Sequence, residues 1–496
     1  VSPPSRRQVL GWGLAGGAMT AAGAAGLLWG TGPRGGPGGG SGGTGGGDWG
    51  EPEVLTSAGG VLDLDLEAAP AAVGIDGRTA HVWAFNGTVP GPTLELSPGD
   101  TLRVRMTNGL GAPTNLHVHG LHVSPAGAGD NPFVTIEPGG THDYEFVLPP
   151  DHPPGTYWYH PHHHGTVAEQ LAAGLYGAIV VREAAPPPVS RERVLVVSDL
   201  ALTAAGELAE PSVMERMMGR EGSLVLVNGR RRPRLAAAPG ERERWRIINA
   251  CPSRFLRLGL DGQSVRLLAR DLGRLHQPVE AGTVELAPGN RVDLLVEAAE
   301  GTSTLVASPV DRGAMPGMMG GRRPGGTGPV DLLTLEVTGG RAPALADVPA
   351  GPEPQDLRGV EVARRRTLDF AMGGMGGAMM RGDGSMMSFT VNGREFDAGR
   401  TDVDPAFGDV EEWTLVNSSP MDHPVHLHVW PMQVVSGGGG DDGAGDEPRW
   451  ADVVTVPALG RVTVRVAFEG IAGRTVLHCH ILDHEDLGMM ATVEVR

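Results

Sequence analysis

From about residue 51 onward, apolar and polar residues alternate in short runs closed by Gly, Pro, Asn or Asp, and nothing else in the chain limits its fold so tightly. The runs include Thr101-Leu102-Arg103-Val104-Arg105-Met106, His142-Asp143-Tyr144-Glu145-Phe146-Val147 and Arg244-Trp245-Arg246-Ile247-Ile248. Val292-Asp293-Leu294-Leu295-Val296 and Val462-Thr463-Val464-Arg465-Val466 continue the series. A period of two is that of a strand with one buried face, and strands recurring between turns build sandwiches or barrels. Composition supports this: 78 Gly and 41 Pro among 496 residues disfavour long helices, because both are poor in helix interiors. Aromatic residues are only 4%, so the core must come mainly from Val, Leu, Ala and Ile.

Two Pro-rich breaks, Ala184 to Ser190 and about Gly339 to Gln355, divide the chain into β-domains spanning 51–185, 190–340 and 356–496. A quasi-repeat agrees with the division. Asn86-Gly87, Asn228-Gly229 and Asn392-Gly393 each stand near the start of a segment and are followed by turn and strand signals, as three copies of one fold would require. Residues 1–30 carry Ser5-Arg6-Arg7-Gln8-Val9-Leu10 and then a Gly/Ala-rich apolar stretch reaching Trp29. This is the pattern of a twin-arginine export signal, placing the protein in the cell envelope, the periplasm or outside the cell. The stretch is too weakly apolar for a stable membrane span. Residues 31–50 are mostly Gly, Ser, Thr and Pro, a flexible linker that cannot bury enough apolar surface to order itself. A formal net charge of −18 argues against nucleic acid as a partner. Two cysteines, Cys251 and Cys479, exclude a disulfide scaffold; Cys251 reads as a buried core thiol.

The chemistry lies in the spacing of the seventeen histidines. Four His-x-His pairs occur: His117/His119, His160/His162, His426/His428 and His478/His480. On a strand, residues i and i+2 share a face about 7 Å apart, so each pair projects two imidazoles into one space. Neutral imidazole suits Cu, Zn, Fe and Ni. The fourth pair selects among them. Cys479 lies between His478 and His480 and points to the opposite face, with His484 and Met489 downstream and His423 upstream. Cys, two His and a weakly held Met are the donors of a blue-copper site. One tripeptide thus wires a thiolate-bound copper to a histidine cluster behind it.

Leu116-His117-Val118-His119-Gly120, Trp158-Tyr159-His160-Pro161-His162, His423-Pro424-Val425-His426-Leu427-His428 and the run His478-Cys479-His480-Ile481-Leu482-Asp483-His484-Glu485-Asp486-Leu487-Gly488-Met489 resemble the four copper motifs of the multicopper oxidases. The resemblance covers residue 51 to the C-terminus and implies an all-β chain of three consecutive cupredoxin-like Greek-key β-sandwich domains. It implies four coppers per chain. The type 1 copper would take His423, Cys479, His484 and Met489, and the type 2 copper His117 and His426. The type 3 pair would take His119, His160, His162, His428, His478 and His480. His164 shares the parity of His160 and His162 and is read as lying outside the ligand set. The implied reaction is oxidation of a donor, one electron at a time, coupled to four-electron reduction of O2 to water. That reduction consumes four protons, so carboxylates near the cluster are expected as relays. Glu485 matches the family's acidic position beside His484, and Asp130 resembles the acidic residue after the first motif. The middle domain lacks a ligand motif and reads as a spacer.

The donor is less constrained. Twelve of the eighteen methionines fall in three groups: Met214, Met217 and Met218; Met315, Met318 and Met319; and Met372, Met375, Met379, Met380, Met386 and Met387. Thioether selects Cu(I), and a Met-rich segment at 372–387 resembles the cuprous-oxidase branch of the family. Met421, two residues before His423, is a further candidate at the substrate port. The expected donors are Cu(I), phenols or aromatic amines. The alternatives are a laccase-like phenol oxidase with no Cu(I) role, or a copper-sequestering protein with incidental turnover.

Overall fold

The computed structural model describes residues 49–313, 328–373, 387–437 and 447–496. Among these residues six sheets fall into three consecutive pairs, each pair sharing one apolar core. The expected strands are present, among them Thr101–Asn108, Thr141–Val147, Arg242–Asn249, Arg291–Glu297 and Arg461–Ala467. The strand pairing repeats three times. Val61–Ile75, Arg191–Leu200 and Arg364–Met372 each run parallel to Thr101–Asn108, Arg242–Asn249 and Val410–Asn417 respectively. Those three partners in turn pair antiparallel with Thr141–Val147, Arg291–Glu297 and Arg461–Ala467. A parallel neighbour between strands close in sequence needs a crossover, and the same crossover made three times is what identifies the sandwiches as copies of one fold.

The three Asn-Gly dipeptides show how the repeat is built. Asn86, Asn228 and Asn392 have φ of 49°, 50° and 51°, and the glycines after them 74°, 71° and 71°. Both positions are left-handed, the turn that Asn-Gly favours and that twists correctly for the strands on either side. Each Asn then fastens its turn to the first long strand of its own sandwich. The side-chain oxygens accept from the N–H groups of Glu67, Val196 and Asp369, all at 2.8 Å. A second triplet closes the strands leading to the site. Asn108, Asn249 and Asn417 accept from the N–H two residues on and donate to the carbonyls of Ile136, Leu286 and Val456.

Among the described residues helix is confined to three short pieces, α1 (Val167–Ala172), α2 (Val213–Met218) and α3 (Leu482–Asp486). Among the described residues no helix is long and apolar enough to cross a membrane. Both cysteines are free and buried, and Cys251 is a core thiol, as expected.

The unpaired His152 also has a structural role. It is buried, its Nε2 accepts from the His122 N–H at 3.0 Å, and its Nδ1–H donates to the Pro153 carbonyl at 3.0 Å. Burial pushes its pKa down to about 4, against roughly 6.5 in an unfolded chain. The unfolded state therefore binds the proton more readily. Its contribution is complete above about pH 6.5 and is lost as pH falls toward 4, an effect of up to ~3 kcal/mol. Replacing His152 with Gln is expected to flatten the acid limb of the copper-free protein's stability profile. Urea midpoints at pH 7 and pH 4.5 should differ less in the variant than in the parent, and an equal difference would refute the assignment.

Candidate metal centre

The paired histidines sit where the first and third sandwiches meet. In the first, the strand His117–His119 pairs antiparallel with Gly155–His160, setting His117 opposite His160. In the third, His423–Leu427 pairs with Gly473–Cys479, setting His426 opposite His478 and Val425 opposite Cys479. All eight imidazoles of the four pairs are buried, and the strand period sends them into one space. The His117 and His428 rings stack at 3.8 Å, and those of His119 and His426 at 3.9 Å. His162 Nε2 and His428 Nε2 each lie 3.1 Å from His478 Nε2, and the Nε2 atoms of His117 and His426 are 3.4 Å apart.

Their nitrogens sort into groups whose ligand atoms lie within 4.8 Å of one another. One is His119, His160 and His480; a second is His162, His428 and His478; a third joins His117 and His426, with His428 again in reach. Every group draws on both outer sandwiches, so none can form unless the two are docked.

The donor chemistry fits metal ions. Burial is the first cause holding all eight rings below their ordinary pKa, so they are neutral, each with one lone pair. In His160, His426 and His478 the Nδ1–H donates to a backbone carbonyl, of Pro161, Asp452 and Cys479, which leaves the Nε2 lone pair facing inward. The Nε2 atoms of His119, His160 and His480 have no hydrogen-bond partner at all. Converging lone pairs with nothing between them repel, and a shared cation removes that cost.

Cys479 points away from its flanking rings. Its sulfur lies 3.3 Å from His423 Nδ1 and 3.7 Å from His484 Nδ1. The remaining ring nitrogens are spoken for: His423 Nε2–H donates to Ser419 Oγ at 2.6 Å, and His484 Nε2–H to the Met217 carbonyl at 3.1 Å. Both Nδ1 lone pairs are thereby aimed at the sulfur's side. The Cys479 N–H donates to the Met489 carbonyl at 3.0 Å, which brings buried Met489 alongside. Burial pushes the free thiol's pKa up, so a thiolate here requires a cation.

Three buried carboxylates border the histidine cluster. Glu485 lies 2.9 Å from His478 Nδ1 and 3.3 Å from His162 Nε2, and burial raises its pKa to about 7. Asp130 meets His117 Nδ1 at 2.9 Å, also accepts from the Val118 N–H, and is pushed up to about 8 by burial. Both were expected. Asp452 was not: its carboxylate lies 3.0 Å from His119 Nδ1, and Arg291 of the middle sandwich grips it at 2.6 Å. No spacing rule reaches it, since Asp452, Arg291 and His119 meet only through the docking of all three sandwiches.

The middle sandwich is thus more than a spacer. Gly289, at φ +87°, would place a Cβ 3.0 Å from Nε2 of both His119 and His480. Arg312 is buried beside the sulfur site. Its carbonyl accepts from the Asp422 N–H at 2.8 Å, and its Nη2 donates to Glu221 at 3.0 Å, while Nε and Nη1 have no hydrogen-bond partner.

His164 is exposed, against the Phe396 ring at 4.7 Å, outside the cluster as expected. Of the methionines proposed for substrate, Met372 ends a strand in the core of the third sandwich and Met421 is fully buried next to His423's strand. Met375, Met379 and Met380 lie outside the described residues, as do Met315, Met318, Met319 and the twin-arginine motif.

Three family profiles, each described as multicopper oxidase, match residues 67–186, 192–316 and 372–496. A multicopper oxidase from Staphylococcus haemolyticus is 27% identical over 427 residues, covering 84% of each chain. A laccase from Haloferax volcanii is 29% identical over 476 residues, covering 82% of this chain and 77% of its own. Among solved structures, a multicopper oxidase from Campylobacter jejuni, described as a metallo-oxidase, superposes with a TM-score of 0.79 at 29% identity. It covers 91% of this chain and 95% of the other.

Proposed function

The chain belongs to the multicopper oxidase family, an oxidase that couples one-electron oxidation of a donor to reduction of dioxygen to water, and from that premise we propose which residues do each part. His423, Cys479, His484 and Met489 hold the type 1 copper. His117 and His426 hold the type 2 copper. The triads His119, His160, His480 and His162, His428, His478 hold one type 3 copper each. The coppers together supply four one-electron redox steps, which matches the demand of dioxygen. The observation that carries the reading is the tripeptide His478-Cys479-His480, whose middle side chain faces the sulfur site while its neighbours enter separate histidine triads.

The protein's own groups govern protons and geometry. Glu485, between His162 and His478, and Asp130, against His117, are the proton-holding groups nearest the cluster. Asp452 orients His119 and accepts its position from Arg291. Arg312 sets the type 1 potential: a buried cation favours the less positive, reduced state of a nearby metal. Replacing it with Met is expected to lower that potential by on the order of 1 kcal/mol at an effective dielectric of ~20. Redox titration of the blue band checks this, and Arg312→Lys should restore the parent value. An unchanged potential would leave Arg312 a purely structural residue.

As donors we favour Cu(I) together with phenols or aromatic amines. Met375, Met379 and Met380 handle Cu(I), supported by soft-ligand chemistry; buried Met372 and Met421 pack rather than dock. Oxygen uptake with Cu(I) and with a phenol, at saturating copper, tests the assignment. Replacing Met375, Met379 and Met380 with Leu should reduce Cu(I)-driven uptake at least tenfold more than phenol-driven uptake. Equal losses would remove the Cu(I) role, and uptake with neither donor would favour sequestration. Ser5-Arg6-Arg7-Gln8-Val9-Leu10 supports export by the twin-arginine route, which carries folded proteins.

A further inference from the structure

The ring of His428 is aimed without a hydrogen bond to its outer nitrogen. The Nδ1–H groups of His160, His426 and His478 are bound to backbone carbonyls. His428 Nδ1 has no hydrogen-bond partner, and the Asp130 carboxylate stays 4.0 Å away. Its direction is left to the stack on His117 and to the main chain that carries it.

That main chain is strained. The strand His423–Leu427 ends one residue before His428, and the Trp430 N–H donates back to the His428 carbonyl at 2.9 Å. Val429, between the two, has φ +72°. A bond from i to i+2 closed around a residue with φ of about +75° is the rare, strained form of γ-turn. Valine makes it costlier, because a β-branched residue at positive φ is an outlier. After its own pair, His117 and His119, the first sandwich meets the need for a left-handed residue with Gly120, at φ +88°. Val429 is buried in the core of the third sandwich. Strain of this kind persists only where the surroundings over-determine it, and it gathers at functional sites.

What holds the turn comes from the other outer sandwich. The His122 Nδ1–H, three residues beyond His119, donates to the Val429 carbonyl at 3.0 Å. The His122 backbone N–H is fixed in turn on His152 Nε2. The third sandwich leaves a slot for this ring: Gly470, at φ +77°, would place a Cβ 2.9 Å from His122 Nε2. Two separate loops of the third sandwich thus fit around one half-buried imidazole of the first, and His122 belongs to none of the ligand groups described above.

We propose that His122 is a positioning residue for His428. By gripping the Val429 carbonyl it holds the γ-turn, and the turn aims the His428 ring at its triad with His162 and His478. The proposal rests on the reading of that triad as a type 3 copper site. Released from His122, Val429 relaxes toward extended backbone, the peptide after His428 rotates, and the ring leaves the point where the triad converges. Docking of the first sandwich on the third is in this way converted into ligand geometry.

The test uses His122→Phe, which keeps a flat ring in the slot and the backbone N–H to His152 but removes the donor. The copper-loaded variant should stay blue, lose its type 3 absorption, and take up oxygen about 10–100-fold more slowly. A second change is then added to His122→Phe. Val429→Gly should restore the type 3 absorption, because glycine takes the left-handed turn at no steric cost and no longer needs the clamp. Val429→Ala trims the same side chain but keeps the Cβ, and should not restore it. Full type 3 absorption in His122→Phe overturns the proposal. So does loss of the blue band along with it, which would make His122 a prop for docking alone. Equal rescue by Val429→Gly and Val429→Ala, or rescue by neither, overturns the link through the strained turn. Failure of the copper reading itself would instead leave the parent protein without type 3 absorption.

Discussion

Cys479→Ser is expected to abolish the blue absorption and to lower oxidase turnover by more than about 100-fold, the upper range for loss of a residue that merely supports a ligand. The fold should survive. A hydroxyl fits the space of the thiol, and the Cys479 N–H to Met489 carbonyl bond and the strand pairing with Val425 are backbone features. What fails is the donor. Serine does not ionise in a buried site, so His423 and His484 face a neutral oxygen where a thiolate stood. The flanking His478 and His480 keep their places in the two triads. Copper content should therefore fall from four per chain to three, with the signals of the histidine-bound coppers retained. A variant that keeps the blue band and full turnover would exclude Cys479 as the type 1 ligand.

Gly289→Val is expected to give the opposite spectrum. The added Cβ would stand 3.0 Å from Nε2 of His119 and His480, in the space where two nitrogens of one triad converge. The backbone at φ +87° adds strain for a branched side chain, on the order of 1–3 kcal/mol, and overpacking a filled site costs a further ~1–3 kcal/mol. The triad His119, His160, His480 should open while the sulfur site stays intact, because the Cys479 side chain faces away from His480 and its partners His423 and His484 lie outside the triad. The purified variant should be blue, deficient in type 3 copper, and at least about 100-fold slower in oxygen uptake. Normal type 3 absorption with normal turnover would mean that the middle sandwich does not close this triad. Together the two substitutions split the molecule into its halves.

Much of this was legible along the chain, for a common reason. Strand periodicity is local, so Thr101–Asn108 and Arg461–Ala467 could be read from their own residues. The His-x-His pairs could be read the same way, because i and i+2 on a strand must share a face and i+1 must oppose it. That rule alone predicted that Cys479 and its neighbours serve different sites. Asp130 and Glu485 were reached through the resemblance, as the acidic residues that accompany the first and last motifs.

Other parts had no local signal. Met372 opens the Met-rich stretch read as a Cu(I) segment, yet it pairs with Phe389 at the end of a strand and is buried. The carboxylate of Asp452, the guanidinium of Arg291 and the bare Cα of Gly289 lie in unremarkable sequence. They gain their roles only because a sandwich without ligands of its own is pressed against the cluster.

The sequence by itself determined the strands, their threefold repetition, and which imidazoles share a strand face with Cys479 turned from them, since all of these depend on spacing within a few residues. The tertiary structure decided which imidazoles share a triad, which carboxylates and arginines surround them, and that α2 of the middle sandwich meets His484 through the Met217 carbonyl. The reason is physical: a metal site made of two distant strand pairs is fixed by how the sandwiches dock, and docking depends on surfaces that no short stretch of chain encodes.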